Sequence, residues 1–217
     1  MVTTERAKLM IPGPVDVDDE ILAAMAEPVR PHYGNEWLAI YNEAVEHLQR
    51  IFGTRNDLFL MTGPGTAALE AALGSLMRTG DKVLVARNGF FGDRLATVAR
   101  AYGLDVRQVT APLGHPVEPG AIRRALSAGP GIQAVAVVHL ETSTAVLNPI
   151  QDIAAAARDF EVPIIVDAVS SLGGMPLPVD EWGIDICVTV INKCLACPAG
   201  VAPISVSQRA WEQIERK

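Results

Sequence analysis

Aromatic residues are sparse in this chain, 5% of 217 positions, and cysteine occurs only three times. Three cysteines, an odd number in a chain of this length, do not make a disulfide scaffold. No apolar run approaches the roughly 20 residues that a membrane span needs. There is no Lys/Arg-rich run, and a net charge of -7 argues against a nucleic-acid footprint. The opening stretch, MVTTERAKLMIPGPV, has no apolar h-region, so nothing marks secretion. Internal repeats and low-complexity tracts are absent as well. The expectation is a soluble cytoplasmic protein.

What is present is apolar and periodic. The chain is 49% hydrophobic and 20% charged, enough to bury a sizeable core. Apolar β-like runs occur at 57–61, 82–86, 105–110, 133–140, 162–167, 185–191 and 201–207. Between the first five lie TAALEAALGSLMRTG, GDRLATVARAYG, EPGAIRRALSAG and IQDIAAAARDFE. Each has apolar residues three and four apart, and most close at glycine, as amphipathic helices do. Continuous apolar strands alternating with helices predict an α/β fold with parallel strands covered on both faces. Ahead of them, Trp37, Tyr41, Val45, Leu48 and Phe52 form one stripe on a helix over 35–52. No strand is evident for that stripe to cover, so it packs on the domain or on a partner.

In such sheets ligands sit at the carboxyl ends of the strands. The informative residues are therefore TGPGT, RNGFFG, ETST, DAVSS and NKC, each at the end of a strand. Three readings compete for them. GPGTAA, at 63–68, matches a dinucleotide turn, with Arg87 placed for a 2′-phosphate. Any phosphate at a helix start selects glycines, however, so the match supports phosphate more than dinucleotide. Cys194-Leu-Ala-Cys197 has redox spacing, yet Pro198 and Gly200 follow at once instead of a helix. A zinc site would need further ligands that no second such pair or close His pair supplies. Both thiols then read as small packing residues. The third reading joins several strand ends: a phosphate turn at 63–66, an aromatic at 90–91, an acid at Asp167 and Lys193. These are the parts of a pyridoxal-phosphate site.

Taken together, IPGPV, TGPGTAALEAAL, NGFFGDR, VHLETSTAVLNPI, VDAVSSLGG and GIDICVTVINKCLACPAGVAPISVS resemble the class V aminotransferases of fold-type I. The likeness is nearest to the alanine–glyoxylate and serine–glyoxylate enzymes and runs over essentially the whole chain. It implies pyridoxal 5′-phosphate as cofactor, a small amino donor, and a 2-oxo acid such as glyoxylate or pyruvate as acceptor. By resemblance, Lys193 is the lysine that carries the cofactor as a Schiff base, and Asp167 partners its ring nitrogen. Gly65 and Thr66 supply phosphate-binding backbone, and Phe91 stacks on one ring face. Val169 touches the other face, Thr142 lies near the phenolic oxygen, and Asn192 precedes the lysine. Pro12, Gly13 and Pro14 skirt the substrate site. No metal is implied.

The chain departs from the family in several places. Pro64 stands where relatives usually carry serine, Asn192 where they mostly have glutamine, and Ala199 where they favour proline. NKC and ETST.VLNPI also resemble the 2-aminoethylphosphonate–pyruvate aminotransferases of the same family. The resemblance divides the chain into an extended segment at 1–20 and a cofactor-binding large domain at 21–217. The family's C-terminal domain, with its carboxylate-clamping arginine, has no counterpart after Lys217. A homodimer, with residues 1–52 in the contact, is expected. The rivals are a different pyridoxal-phosphate chemistry on the same fold, such as a desulfurase or lyase, and a cofactor-binding fragment without turnover.

Overall fold

The computed structural model describes residues 8–216. Of the segment expected to be extended, 8–18 contains neither helix nor strand, and the rest below residue 8 lies outside the described residues. The elements then run α1 (Asp19–Met25), α2 (Asn35–Phe52), β1 (Asp57–Thr62), α3 (Gly65–Leu76), β2 (Lys82–Arg87) and α4 (Phe90–Ala101). They continue with β3 (Asp105–Thr110), α5 (Pro119–Ala128), β4 (Ile132–Val138), β5 (Leu140–Glu141), β6 (Val146–Leu147) and α6 (Ile150–Arg158). The last are β7 (Ile164–Asp167), α7 (Val179–Trp182), β8 (Ile186–Val188), β9 (Val201–Val206) and α8 (Gln208–Glu215).

Seven strands form one sheet in the order β1-β9-β8-β7-β4-β2-β3. The β8-β7-β4-β2-β3 pairs are parallel, and β9 runs against both of its neighbours. Strands buried on both faces need no polar alternation, which is why 134–138 of β4 and 164–166 of β7 read as unbroken apolar runs. Successive side chains point to opposite faces. Leu84, Val135, Val137, Ile164 and Val166 face Phe52, Ile122, Leu126, Ile150 and Ile153. Val83, Val85, Ala134, Ala136 and Ile165 face Leu69, Leu73, Leu95 and Ala210. Helices α2, α5, α6 and α7 thus cover one face, and α3, α4 and α8 the other. Edge strand β3 keeps Arg107 and Gln108 exposed. Charges there discourage pairing with another chain.

Asp185, 3% exposed, ties the layers together before β8. It accepts from the Ile164 N–H at 2.8 Å, from the Ser207 hydroxyl at 3.0 Å and from the Arg209 guanidinium. The hydrogen-bond demand of this buried carboxylate is met from three sides, which offsets its desolvation.

Three expectations shift. The run at 133–140 stops as a strand at Val138, and Leu140–Glu141 pairs instead with Val146–Leu147 in a small hairpin. The run at 185–191 is a regular strand only from Ile186 to Val188, so Lys193 sits in an irregular loop rather than directly at a strand end. On α2, Phe52 is fully buried in the core, with Val45 and Leu48 packed against it. Trp37 and Tyr41, half-buried like Val45 and Leu48, lie at the end of the stripe away from Phe52. Among the described residues, no helix is long and apolar enough to cross a membrane.

Candidate active site

The antiparallel course of β9 builds the site. Its first residue, Val201, pairs with the last residue of β1, Thr62. The Gly63 N–H consequently donates to the Gly200 carbonyl at 2.9 Å, and the loop carrying Lys193 lies beside the glycine turn. Gly63 sits at φ 142°, a conformation that side chains other than glycine's rarely tolerate. After Pro64, α3 begins at Gly65, with no side chain capping it. Its leading N–H groups have no acceptor one turn back, leaving donors at the helix start. A Cβ on Gly65 would lie 2.8 Å from a Val169 methyl and 2.9 Å from a Val190 methyl. The helix start is therefore pressed onto the turn that follows β7.

That turn carries Asp167, the last residue of β7 and 5% exposed. One carboxylate oxygen accepts from the Val169 N–H at 2.9 Å. No ion pair reaches Asp167 among the described residues. Burial lifts its carboxyl from the ordinary 3.8 to about 6, opposed by the Val169 hydrogen bond. Of the two smaller effects, the Glu141 charge raises it further and the Arg94 charge lowers it. A buried carboxylate without a cation is costly, and such groups concentrate where a ligand is to be met.

Asp167 opens onto a cavity of about 100 Å³ lined by Gly65, Thr66, Phe91, Val169, Arg94 and apolar residues of α3 and α4. Five of the eight residues expected at the site thus share one wall. The other three stand outside that lining. Thr142 donates its hydroxyl to Ser170 at 2.7 Å. Lys193 Nζ donates to the Pro12 carbonyl at 3.0 Å, and a Cβ on Gly13 would sit 2.7 Å from that nitrogen. Asn192, half-buried, precedes it in the same loop. The N-terminal Pro12–Pro14 segment therefore rests directly on the lysine.

The competing readings fare less well. Arg87 is engaged by Asp93 and by Gln108, at 3.3 Å, on the edge of the sheet. Cys194 is exposed rather than a packing residue, and Cys197 is partly buried, its thiol pushed up by desolvation. Their sulfurs donate to the carbonyls of Ser170 and Leu195. No helix follows to lower a thiol pKa, and among the described residues no cluster could hold a metal.

Glu141, Ser143, Ser170 and Arg94 also meet the expected residues or the cavity and were not expected from the sequence. Arg94 was within reach, because one turn of helix past Phe91 faces the same way. Glu141 and Ser143 act across long sequence separations, and no local pattern reveals them.

The family model described as aminotransferase class-V matches residues 20–217. An uncharacterized aminotransferase of Methanocaldococcus jannaschii is 45% identical over 208 residues, covering 96% of this chain and 54% of that protein. Alanine–glyoxylate aminotransferase of Drosophila melanogaster is 36% identical over 212 residues, covering 96% of this chain and 53% of that protein. The crystal structure of alanine–glyoxylate aminotransferase from Nostoc superposes with a TM-score of 0.93 at 34% identity, covering all of this chain and 58% of that one. The chain spans about half the length of the curated relatives it matches. On its sequence, its sheet order and these likenesses, the chain belongs to the class V aminotransferase family.

Proposed function

We propose that this chain carries the cofactor-binding domain of a pyridoxal-phosphate-dependent aminotransferase. Its reaction moves an amino group from a small amino acid, alanine or serine, to a 2-oxo acid such as glyoxylate or pyruvate. The observation that carries this reading is Asp167: a buried carboxylate with no ion-pair partner among the described residues, facing a cavity between a helix start and an aromatic ring. The residues present fit pyridoxal phosphate. An anionic group suits the N–H donors of Gly65 and Thr66, and a cationic ring nitrogen suits Asp167. A flat ring suits the space between Phe91 and Val169.

Bound pyridoxal phosphate supplies an electron sink for a carbanion at the substrate Cα. The protein's part is positioning and proton handling. The Lys193 amine, released from the Pro12 carbonyl, is the group that would hold the cofactor covalently. The same amine would serve as the base for the substrate Cα proton. Asp167 would hold a proton on the ring nitrogen by charge, and a cationic ring nitrogen would in turn favour the ionised carboxylate. The Thr142 hydroxyl, on Ser170, is placed to meet the phenolic oxygen, with Asn192 beside the lysine. Pro12 and Gly13 lie against the lysine's side of the site.

The same reading makes the active form a homodimer with residues 1–52 at the contact. Met10, Val29, Tyr33 and Leu38, all exposed apolar or aromatic residues, support it. Light scattering should give twice the chain mass, and a monomer at all concentrations would contradict this. For the cofactor, pyridoxal phosphate should raise the melting temperature while nicotinamide dinucleotides leave it unchanged. The reverse pattern would return the 63–68 turn to the dinucleotide reading.

A further inference from the structure

Helix α4 presents Phe91 and Arg94 to the cavity, yet its own sequence cannot cap it. The residue before it, Gly89, has no side chain to accept from the first turn. The cap comes instead from the β5–β6 hairpin. Glu141 is 0% exposed and accepts from the Phe91 N–H at 3.1 and 3.3 Å and from the Gly92 N–H at 3.0 Å. Ser143 adds its own N–H at 3.1 Å and its hydroxyl at 2.5 Å to the same carboxylate. The Ser143 oxygen in turn accepts from the Phe90 N–H at 2.9 Å. A Cβ on Gly89 would lie 2.5 Å from Glu141 carbons and from the Ser143 oxygen, so glycine is what allows this approach. Among the described residues no cation pairs with Glu141. A buried anion at a helix start gains from the helix dipole as well as from its hydrogen bonds.

We propose that Glu141 is a positioning residue of the site, fixing the ring of Phe91 through the first turn of α4. The inference rests on the pyridoxal-phosphate reading, which supplies what Phe91 stacks on. A local cap at residue 89 would satisfy the helix equally well but would leave it unattached to the strand edge. Glu141 ties α4 to β5, three residues beyond the end of β4 and next to the β7 edge that carries Asp167. The aromatic wall and the acid are thereby held in one frame. Three groups act on Asp167 or are acted on by it: Arg94 from α4, Glu141 from β5 and the Cys187 thiol from β8.

The test is titration of the chain with pyridoxal phosphate, followed by tryptophan fluorescence and borohydride labelling. Glu141→Gln keeps the shape but turns one acceptor into a donor facing donors, and should weaken binding about tenfold. Phe91→Leu should weaken it independently. In the Phe91→Leu background the further loss from Glu141→Gln should fall below about twofold, since the two act as one unit. The acid limb of the binding profile should move to lower pH in Glu141→Gln, because an anion favouring neutral Asp167 has gone. That limb reports the Glu141 charge; a cap with a purely structural role would instead keep its full penalty in the Phe91→Leu background. Should Glu141→Gln fail to fold, Ser143→Ala removes one relay and should show a smaller loss of the same kind. Unchanged binding in these variants, or a Glu141 penalty undiminished without Phe91, overturns the inference alone. A parent chain that takes up no pyridoxal phosphate overturns the proposed function, and this inference with it.

Discussion

Asp167 should destabilise the cofactor-free protein at neutral pH, and replacing it should make the fold stronger while harming the site. Burial raises its carboxyl from 3.8 to about 6. For a carboxyl raised on folding, the favourable contribution is complete below the unfolded pKa and is lost as pH climbs through the folded one. Stability should therefore decline between about pH 4 and pH 6 and stay low above that, by about 3 kcal/mol from the size of the shift. Asp167→Asn removes the titration, and its amide oxygen can still accept from the Val169 N–H. The variant should match the parent near pH 4 and exceed its stability by about 2–3 kcal/mol at pH 7.5. Urea unfolding of both cofactor-free proteins across that range measures the difference directly. An Asn variant weaker than the parent at neutral pH, or a difference that ignores pH, would refute the reasoning. The same variant should bind pyridoxal phosphate more weakly, the exchange of stability for function expected of a site residue.

Gly65→Ala should cost about 1–3 kcal/mol, because its Cβ meets Val169 and Val190 methyls at 2.8 and 2.9 Å. It should also weaken cofactor binding by displacing Val169; denaturant and cofactor titrations that both leave it unchanged would remove the close packing from the account. Cys194→Ser combined with Cys197→Ser should leave cofactor uptake near the parent level, since a hydroxyl can replace each weak thiol contact. Loss of uptake, or metal released from the parent protein, would reinstate the thiol pair.

The architecture was legible because β2, β4 and β7 are buried on both faces and so read as continuous apolar runs. Gly65, Thr66, Phe91, Asp167 and Val169 were legible because strand ends and helix starts converge on one edge whatever the connecting loops do. Lys193 stood out in the sequence by its place after an apolar run, but its contact with Pro12, 181 positions away, did not. The short extent of β8 was not legible either. Thr189 and Ile191 still bond to Pro203 and Val201, but irregularly, and apolar sequence alone does not separate that from a strand. Glu141 was hidden for a different reason. A carboxylate in ETST reads as a turn residue until the fold brings Gly89 and Phe91 to it.

Borohydride reduction followed by peptide mapping tests whether Lys193 is the covalent anchor for pyridoxal phosphate. The chain holds four lysines, Lys8, Lys82, Lys193 and Lys217, so the map is short. One mole of reduced adduct per chain is expected, confined to Lys193 and abolished by Lys193→Ala with the other three present. Adduct spread over Lys8, Lys82 and Lys217, or undiminished in Lys193→Ala, would contradict it.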